Sequence, residues 1–330
     1  DGQTIDFQGA VTIGTLNTAA QGYNVRFGNG GTVTNAVIFS NTGSLVIANG
    51  MTFTGGVTAT APSQVNIAGT IATGGGAGQN ISLGDGDTGV VLNANTILDT
   101  GAGIGSVTVG GTINPTTAST EALNIISGTG DITITGPVGG GLRLGALTIT
   151  SAANVTITNG VTAVSFTQNA GSGTTTFNGT QDYTGSFSFT GTNLVQNGNL
   201  TAQGNFNFNG AVLIINNGAT LYGGASTLSA TASGAITISN ANITSTGNQT
   251  WTAVAQGVRI TGGGTWQAGG AGISLPNTDL YLDHNGATLI LLSNLSCRNL
   301  YFYRGTLNIA GKTLAASANM AFWGAVYSPD

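Results

Sequence analysis

The sequence predicts an all-β fold, a parallel β-solenoid of about 16 coils. Short stretches alternate apolar and polar residues with a period of two, which is typical of half-buried strands. Glycine, of which the chain has 56 residues, contributes to breaks about every six to ten residues, close to the side length of a solenoid coil. β-Branched residues dominate, and the residues that favour helices are scarce.

The clearest example is the segment 147–160, LTITSAANVTITNG. Its two strands repeat one pattern eight residues apart, with aliphatic residues on one side and threonines on the other. A strand that alternates in this way has one apolar face and one hydroxylated face. We therefore expect Ile149 and Ile157 to point into the core and Thr148 and Thr156 to point outward.

The composition excludes several classes of protein. Charged residues make up only 5% of the chain and the net charge is −5, whereas an ordinary soluble domain is about 25% charged. Six basic residues are too few for a phosphate-neutralising stripe, so we expect no nucleic-acid partner. No apolar run approaches the roughly 18 residues of a membrane helix, so we expect no membrane insertion of this segment. The single cysteine, Cys297, excludes an internal disulfide and is expected to be a small buried residue.

The pattern varies along the chain. Residues 1–70 are short strands separated by Gly-rich turns. Residues 71–121 are rich in glycine, but short patterns typical of β-strands continue through them. We therefore expect this segment to be part of the solenoid, with enlarged turns, and not a linker. Residues 122–275 are the most regular part, and the phenylalanines of FSF (187–189) and FNF (206–208) are expected to stack in adjoining coils.

From about residue 275 the composition changes and becomes richer in leucine and aromatic residues. We interpret residues 1–275 as β-solenoid and residues 276–330 as Leu- and aromatic-rich terminal coils, or a cap, of the same solenoid. The runs LILL (289–292) and LYFY (300–303) predict a thicker core or a cover for the final coil. Neither end contains a helix-forming segment that would seal it, and an open coil is a template for another strand. We therefore expect the chain to continue coil on coil, into further covalent sequence or into the next subunit of a filament.

Several phrases, among them LTITSAANVTITNGV, NLTAQGNFNFNGAVLIINNGATL and GTLNIAGKTLAASAN, resemble the β-strand repeats of large bacterial surface proteins. These are the passenger domains of autotransporters and the filamentous-haemagglutinin-like adhesins. The resemblance covers most of the chain. It implies a right-handed parallel β-helix that is exported and displayed at the bacterial cell surface, in adhesion or as envelope material. No catalytic motif carries over from these families.

Asp85 and Asp87, in GDGDTG, are the candidate metal ligands. Gly-Asp turns of nonapeptide β-rolls bind calcium through backbone carbonyls and alternating carboxylates. Here the nine-residue period does not recur, which favours a solvated turn. Apart from calcium at this turn, we expect no cofactor.

The densest set of titratable residues is TDLYLDHNG, which contains Asp279, Asp283 and His284. Asp279, Tyr281 and Asp283 alternate, so they are expected to share a strand face, with Arg298 or Arg304 a coil away. Polysaccharide-degrading β-helix enzymes use clustered carboxylates with basic residues, and their convergence in a groove would favour such an enzyme. The alternative is a network of ion pairs that caps the final coils.

Two further candidates are binding surfaces. Thr-x-Thr pairs at one position per coil would order water or bind ice, but the spacings of the pairs after Thr133/Thr135 match no coil length. Sugar stacking is the candidate role of five aromatic residues if they are exposed: Tyr183, Tyr222, Trp251, Trp266 and Trp323.

The leading hypothesis is a non-enzymatic structural protein, the solenoid rod of an adhesin or of a self-assembling extracellular filament or sheath. Its expected partners are further copies bound end to end, or a host or neighbouring cell surface, and its expected location is extracellular or on the bacterial surface. The alternative is a carbohydrate-binding or polysaccharide-degrading β-helix protein.

Overall fold

The chain is a parallel β-solenoid of about 15 turns, close to the predicted number. The computed structural model describes residues 2–74, 76–216, 218–224, 227–323 and 326–328, of which the last three by their backbone only, and these form strands and turns without a helix. The all-β prediction is thereby confirmed. The chain divides into two compact units, Asp1–Gly173 and Thr174–Asp330.

The described residues of the first unit form eighteen strands, most of them three or four residues long. They are β1 (Thr4–Phe7), β2 (Val11–Ile13), β3 (Asn24–Phe27), β4 (Gly31–Val33), β5 (Val37–Ile38), β6 (Leu45–Ile47), β7 (Met51–Phe53), β8 (Val57–Ala59), β9 (Gln64–Thr73), β10 (Ile81–Leu83), β11 (Gly89–Asp99), β12 (Val107–Val109), β13 (Ile113–Pro115), β14 (Leu123–Ile126), β15 (Ile132–Ile134), β16 (Leu144–Ser151), β17 (Val155–Ile157) and β18 (Val161–Gln168).

Each turn of the first unit contributes strands to three parallel columns. One column runs through β1, β3 and β6 to the first half of β9. A second runs through β2, β4 and β7 to the second half of β9. The third runs from β5 through β8, β10, β12 and β15 to β17. A strand therefore pairs with the strand one whole turn away, and each turn depends on its neighbours to cover its apolar edge.

Turn length varies along this unit. The pairing Leu45↔Val65 makes a turn of 20 residues, Val65↔Val90 makes one of 25, and Leu98↔Ile125 makes one of 27. These two longer turns overlap residues 71–121, and the strands on either side remain in the same columns. The prediction of solenoid with enlarged turns in this segment is confirmed.

In the second unit seventeen strands lie within the part of the chain that the structure describes. They are β19 (Thr174–Phe177), β20 (Gln181–Tyr183), β21 (Phe187–Thr190), β22 (Asn193–Gln196), β23 (Leu200–Ala202), β24 (Phe206–Ile215), β25 (Thr220–Gly223), β26 (Leu228–Ser239), β27 (Asn242–Ser245), β28 (Gln249–Ala253), β29 (Gly257–Thr261), β30 (Gly264–Gln267), β31 (Ile273–Ser274), β32 (Leu280–Leu291), β33 (Leu295–Asn308), β34 (Leu314–Phe322) and β35 (Val326–Ser328).

The second unit repeats the three-column arrangement. The column that matters for the site described below runs through β19, β22, the second half of β24 and the second half of β26. It continues through β29 and the first half of β32 to the middle of β33 and the second half of β34. Residues after 275 thus pair in the same parallel columns as the residues before them.

The core lies inside the columns and is apolar. Ile149 and Ile157 are both fully buried, while Thr148 and Thr156 are partly exposed on the outer side of the same strands. The predicted orientation of these strands is confirmed. Burying each such aliphatic side chain stabilises the fold by about 1.5–3 kcal/mol.

The predicted phenylalanine stacks lie within this core. Phe187 stacks on Phe206 with ring centroids 5.1 Å apart, and Phe189 stacks on Phe208 at 5.3 Å. All four rings are at most 2% exposed. Parallel in-register pairing places identical side chains one above another, which is why the repeated F-x-F phrases produce two ladders.

Polar ladders connect successive turns on the outside. Asn197 donates its side-chain amide to Asn178 at 2.7 Å, and Asn216 donates to Asn197 at 2.6 Å. These three asparagines are 19 residues apart, the length of the turns that carry them. Such side-chain pairs replace the surface charges that an ordinary domain uses.

Some glycines are required by the close approach of neighbouring turns. Gly31 has φ of +137°, and a Cβ at this position would lie 2.2 Å from the carbonyl oxygen of Val11 on the preceding turn. A larger residue at Gly31 would push β4 away from β2.

Candidate functional site

The most distinctive outer surface of the second unit is formed by β32, β33 and β34. In β32 Leu280 and Leu282 are buried, so the residues between and beside them, Asp279, Tyr281 and Asp283, face outward. The prediction that these three residues share a strand face is confirmed.

Each of the two aspartates is paired with an arginine on the next turn. Arg298 donates from Nε to Asp279 Oδ1 at 2.7 Å, and Arg304 donates from Nε to Asp283 Oδ1 at 2.5 Å. The hydrogen bond from Arg298 holds the pKa of Asp279 below its ordinary value, and the bond from Arg304 does the same for the pKa of Asp283. Both carboxylates therefore stay ionised near neutral pH.

Aromatic rings fill the space between these two ion pairs. Tyr281 stacks on Tyr301 of the next turn with centroids 5.0 Å apart, and Tyr301 stacks on Trp323 at 6.1 Å. Tyr303 also stacks on Trp323, at 5.0 Å. At the other end Arg259 places its guanidinium carbon 5.4 Å from the centroid of Tyr281. We call the surface made by Tyr281, Tyr301, Tyr303 and Trp323 the aromatic face.

Sequence reasoning missed half of the aromatic face. The run 300–303 was expected to thicken the core or cover the final coil, but only Leu300 and Phe302 are buried. Tyr301 is partly exposed and Tyr303 is 37% exposed. The alternation within this run was the signal that places its two tyrosines on the outside.

His284 does not join the carboxylates on the outer face. It is fully buried, and its Nδ1 lies 2.5 Å from the carbonyl oxygen of Gly262, to which it donates. Nε2 has no hydrogen-bond partner among the described residues. Burial lowers the pKa of His284, which keeps the imidazole neutral.

The chemistry of this cluster differs from that of a glycosidase. Such an enzyme needs one carboxyl group with a raised pKa, as general acid, and a second carboxylate across the scissile bond. Here both carboxylates have lowered pKa values, and each is held by a guanidinium. The only histidine of the chain points into the core.

Three of the five aromatic residues proposed to stack on sugars are in the wrong place. Tyr183 and Trp251 are fully buried, and Trp266 is 1% exposed. All three belong to the core, and Tyr183 and Trp251 share the inward face of their strands with the buried Gln181 and Gln249. Trp323 is 51% exposed and lies on the aromatic face, and Tyr222 is partly exposed elsewhere.

Asp85 and Asp87 lie in an exposed turn after β10. Asp85 Oδ1 accepts the backbone N–H groups of Asp87 at 3.0 Å and Thr88 at 2.9 Å. One oxygen of Asp85 is thus engaged by its own turn. Within the described residues there is no group of three or more His, Cys, Asp or Glu residues that could hold a metal ion. Calcium at this turn stays a prediction.

The spacings between successive Thr-x-Thr pairs match no turn length because each turn has three faces, and successive pairs lie on different faces. Thr133 in β15 pairs with Thr156 in β17, one turn later, whereas Thr148 in β16 lies on a different column and pairs with Thr167. On the third column of the first unit the outward residues from β8 to β17 form a continuous hydroxyl ladder. It consists of Thr58, Ser82, Thr108, Thr133 and Thr156.

Cys297 is buried, 5% exposed, as predicted. Burial raises the pKa of its thiol to about 11, so the reactive thiolate is rare near neutral pH.

A depression of about 440 Å³ on the first unit has no titratable lining. Its walls are Asn49, Met51, Thr52, Thr70 and four glycines. Such a wall offers hydrogen bonds but no side chain that works as a general acid or base.

The comparisons with known proteins give no relative. No protein-family model, no curated protein and no solved structure matches the chain. In the described part of the chain no helix is long and apolar enough to cross a membrane.

Proposed function

We propose that this chain is a non-enzymatic structural protein, the β-solenoid rod of a bacterial surface adhesin or extracellular filament. The observation that carries the proposal is that its carboxylates are held in hydrogen bonds. Seven carboxylates accept hydrogen bonds from a guanidinium, from a backbone amide of a turn or from a neighbouring side chain. These hydrogen bonds do not bring acidic groups together in a cavity. The seven carboxylates are those of Asp6, Asp85, Asp99, Glu121, Asp131, Asp279 and Asp283.

The repeated bonding between turns supports the same proposal. Parallel columns, aromatic stacks and asparagine ladders connect each turn to the next. Stability then grows with the number of turns and does not depend on a single compact core. This is the property that a rod or filament requires. The proposal also includes a right-handed winding of the solenoid, which the resemblance to bacterial surface proteins implies.

Within this proposal the protein is exported and works outside the cell, with a host or neighbouring cell surface or further copies as partner. Ile5 and Phe322 lie in the first and last described turns and are 48% and 51% exposed. The residues that pair with them in the neighbouring turns, Val25 with Ile5 and Phe302 with Phe322, are buried. A further turn would cover Ile5 and Phe322, either from a second copy bound end to end or from further covalent sequence.

Sedimentation velocity and electron microscopy of the purified chain test the assembly. If copies bind end to end, the chain sediments as filaments, and deletion of residues 1–12 yields monomers. If covalent sequence supplies the further turn, the deletion leaves the sedimentation unchanged. A matched control is Tyr222→Lys, which adds charge on the side of a turn and should not affect end contacts.

The enzymatic alternative is tested with the double variant Asp283→Ala/His284→Ala. We expect no release of reducing or unsaturated ends from polysaccharides by the wild type. A polysaccharide-degrading activity that the double substitution abolishes would overturn the proposal of a non-enzymatic protein.

A further inference from the structure

The dipeptide Asn-Gly occurs eight times in the chain. Asparagine is chemically labile, and a following glycine has no side chain to keep its backbone nitrogen away from the asparagine amide. The two groups react only where the fold lets them approach each other. Seven of these dipeptides lie wholly within the described residues, and Gly286, which follows Asn285, is the one exposed glycine among them.

This dipeptide lies at a corner of β32 that no neighbouring strand pairs with. The registers of β32 with β29, β30 and β33 all omit residues 284–287. Asp283 pairs with Arg304, and the next pair joins Thr288 to Thr306, five residues further along β32 but only two further along β33. The surplus residues of β32 therefore form a bulge, where the pairing that restrains the rest of the strand is missing.

Both reacting groups are accessible at this bulge. Asn285 is exposed, and its side-chain nitrogen, the leaving group, has no hydrogen-bond partner among the described residues. Gly286 has a φ of +80°, and a Cβ at this position would meet no described atom within 4 Å. The open space lets the peptide rotate until the nitrogen of Gly286 faces Cγ of Asn285.

Arg304 supplies an activating group. Its Nη1 donates to Asn285 Oδ1 at 3.4 Å, and its Nε donates to Asp283 Oδ1 at 2.5 Å, which orients the guanidinium. A cation that donates to an amide oxygen makes the amide carbon more electrophilic and stabilises the negative charge that the oxygen gains during attack. The same cation can pair with a carboxylate formed at position 285.

We propose that Asn285 is a self-modification site, deamidated by attack of the backbone nitrogen of Gly286 with Arg304 as oxyanion stabiliser. A bond forms between this nitrogen and Cγ of Asn285, the Cγ–Nδ2 bond breaks, and the amide proton of Gly286 leaves with Nδ2 as ammonia. Water then opens the cyclic imide at either of its carbonyl carbons, which gives aspartate or isoaspartate at position 285. The reaction adds a negative charge to this corner and does not depend on the proposed rod function.

Asn49 and Gly50 form a matched dipeptide within the same chain. Asn49 is exposed like Asn285, but Gly50 is buried, and its backbone N–H donates to the carbonyl oxygen of Ala68 at 2.7 Å. Attack by this nitrogen would first require the hydrogen bond to break and the turn to open. We therefore expect Asn49 to remain intact while Asn285 is converted.

The experiment is incubation of the purified chain at pH 8, followed by proteolytic digestion and mass spectrometry of the peptides. Deamidation raises the mass of the peptide that contains Asn285, and a protein isoaspartate methyltransferase labels the isoaspartate form. In the folded chain we expect conversion at Asn285 to be at least about tenfold faster than at Asn49. In urea, where the fold is lost, this difference between the two dipeptides should disappear.

Substitutions test the assigned roles. Asn285→Gln keeps an amide but needs a larger ring, and this position should stay unmodified. Arg304→Gln should slow conversion at Asn285 by about threefold or more, less than at a buried oxyanion hole because the site is exposed. Arg26→Gln removes an ion pair of the same kind, with Asp6 at 2.9 Å, and should leave the rate unchanged.

Melting temperatures show whether each variant is folded under the conditions of the incubation. An intact Asn285 in the folded wild type, or equal rates at Asn285 and Asn49 in the folded chain, would overturn the proposal. Equal or faster conversion in Arg304→Gln would remove Arg304 from the reaction and leave Gly286 as the only reacting partner.

Discussion

Gln249 and Trp266 are joined inside the core by a hydrogen bond of 2.5 Å from the indole N–H to the side-chain oxygen of the glutamine. The same oxygen accepts the indole N–H of Trp251 at 3.1 Å, and the two indoles pack edge to face. The amide of Gln249 donates to Ser245 at 3.1 Å and to the carbonyl of Gln267 at 2.6 Å. One buried side chain therefore satisfies both buried tryptophans.

Gln249→Leu should destabilise the second unit strongly. The substitution leaves two buried indole N–H groups without an acceptor, and each unsatisfied group costs about 1–3 kcal/mol. Chemical denaturation followed by near-UV circular dichroism measures the loss. Gln256→Leu, at an exposed position, is the matched control and should change the free energy of unfolding little. Equal stability of Gln249→Leu and the wild type would show that the network contributes nothing.

Ile149→Asp should unfold the first unit. Ile149 is fully buried, and an unpaired carboxylate at such a position costs several kcal/mol. Thr148→Asp changes the neighbouring outward residue and should leave the fold intact. Far-UV circular dichroism and melting temperature compare the two variants. A well-folded Ile149→Asp protein is the result that contradicts the assignment of the faces.

The stability of the protein should fall between pH 7 and pH 5 because of His284. Burial holds the pKa of folded His284 below the value of 6.5 that it has when exposed. Below pH 6.5 the unfolded chain therefore binds more protons than the folded chain, so the free energy of unfolding decreases as the pH falls towards the folded pKa. His284→Phe should flatten this dependence, measured as melting temperature against pH.

The aspartates do not interfere in that pH window. The pKa values of Asp279 and Asp283 are lowered from 3.8, so the stability that their ion pairs contribute is present above about pH 4 and is lost only at lower pH. His284 is also the only histidine of the chain. An unchanged slope in His284→Phe would assign the dependence to another group.

Cys297 should react slowly with thiol reagents at pH 8. The side chain is 5% exposed, and burial raises the pKa of its thiol to about 11, so the attacking thiolate is rare. Moving the thiol by one residue, in Ser296→Cys/Cys297→Ser, places it on the exposed side of β33 and should accelerate labelling at least tenfold. Similar labelling rates for the two proteins would contradict the orientation of this strand.

The fold class and the orientation of the regular strands can be predicted from the amino-acid sequence alone. Alternation is a local property, so the LTIT and VTIT phrases were enough to place Ile149 and Ile157 inside. Where inward residues are themselves polar, alternation identifies two faces without saying which is buried. Gln249 and Trp251 share one face, and only packing against the other turns showed that this face is interior.

Which residues meet across turns is visible only in the folded chain. Turns range from 18 residues at Leu289↔Leu307 to 27 at Leu98↔Ile125, and the sequence contains no marker of their length. The partners of Asp279 and Asp283 and the ring that lies on Tyr303 therefore depend on how many residues each corner contains. Turns pair through backbone hydrogen bonds between residues that are far apart in sequence, and no local sequence pattern specifies these partners. The same pairing separates successive threonine pairs onto different columns and assembles the aromatic face from β32, β33 and the residue that follows β34.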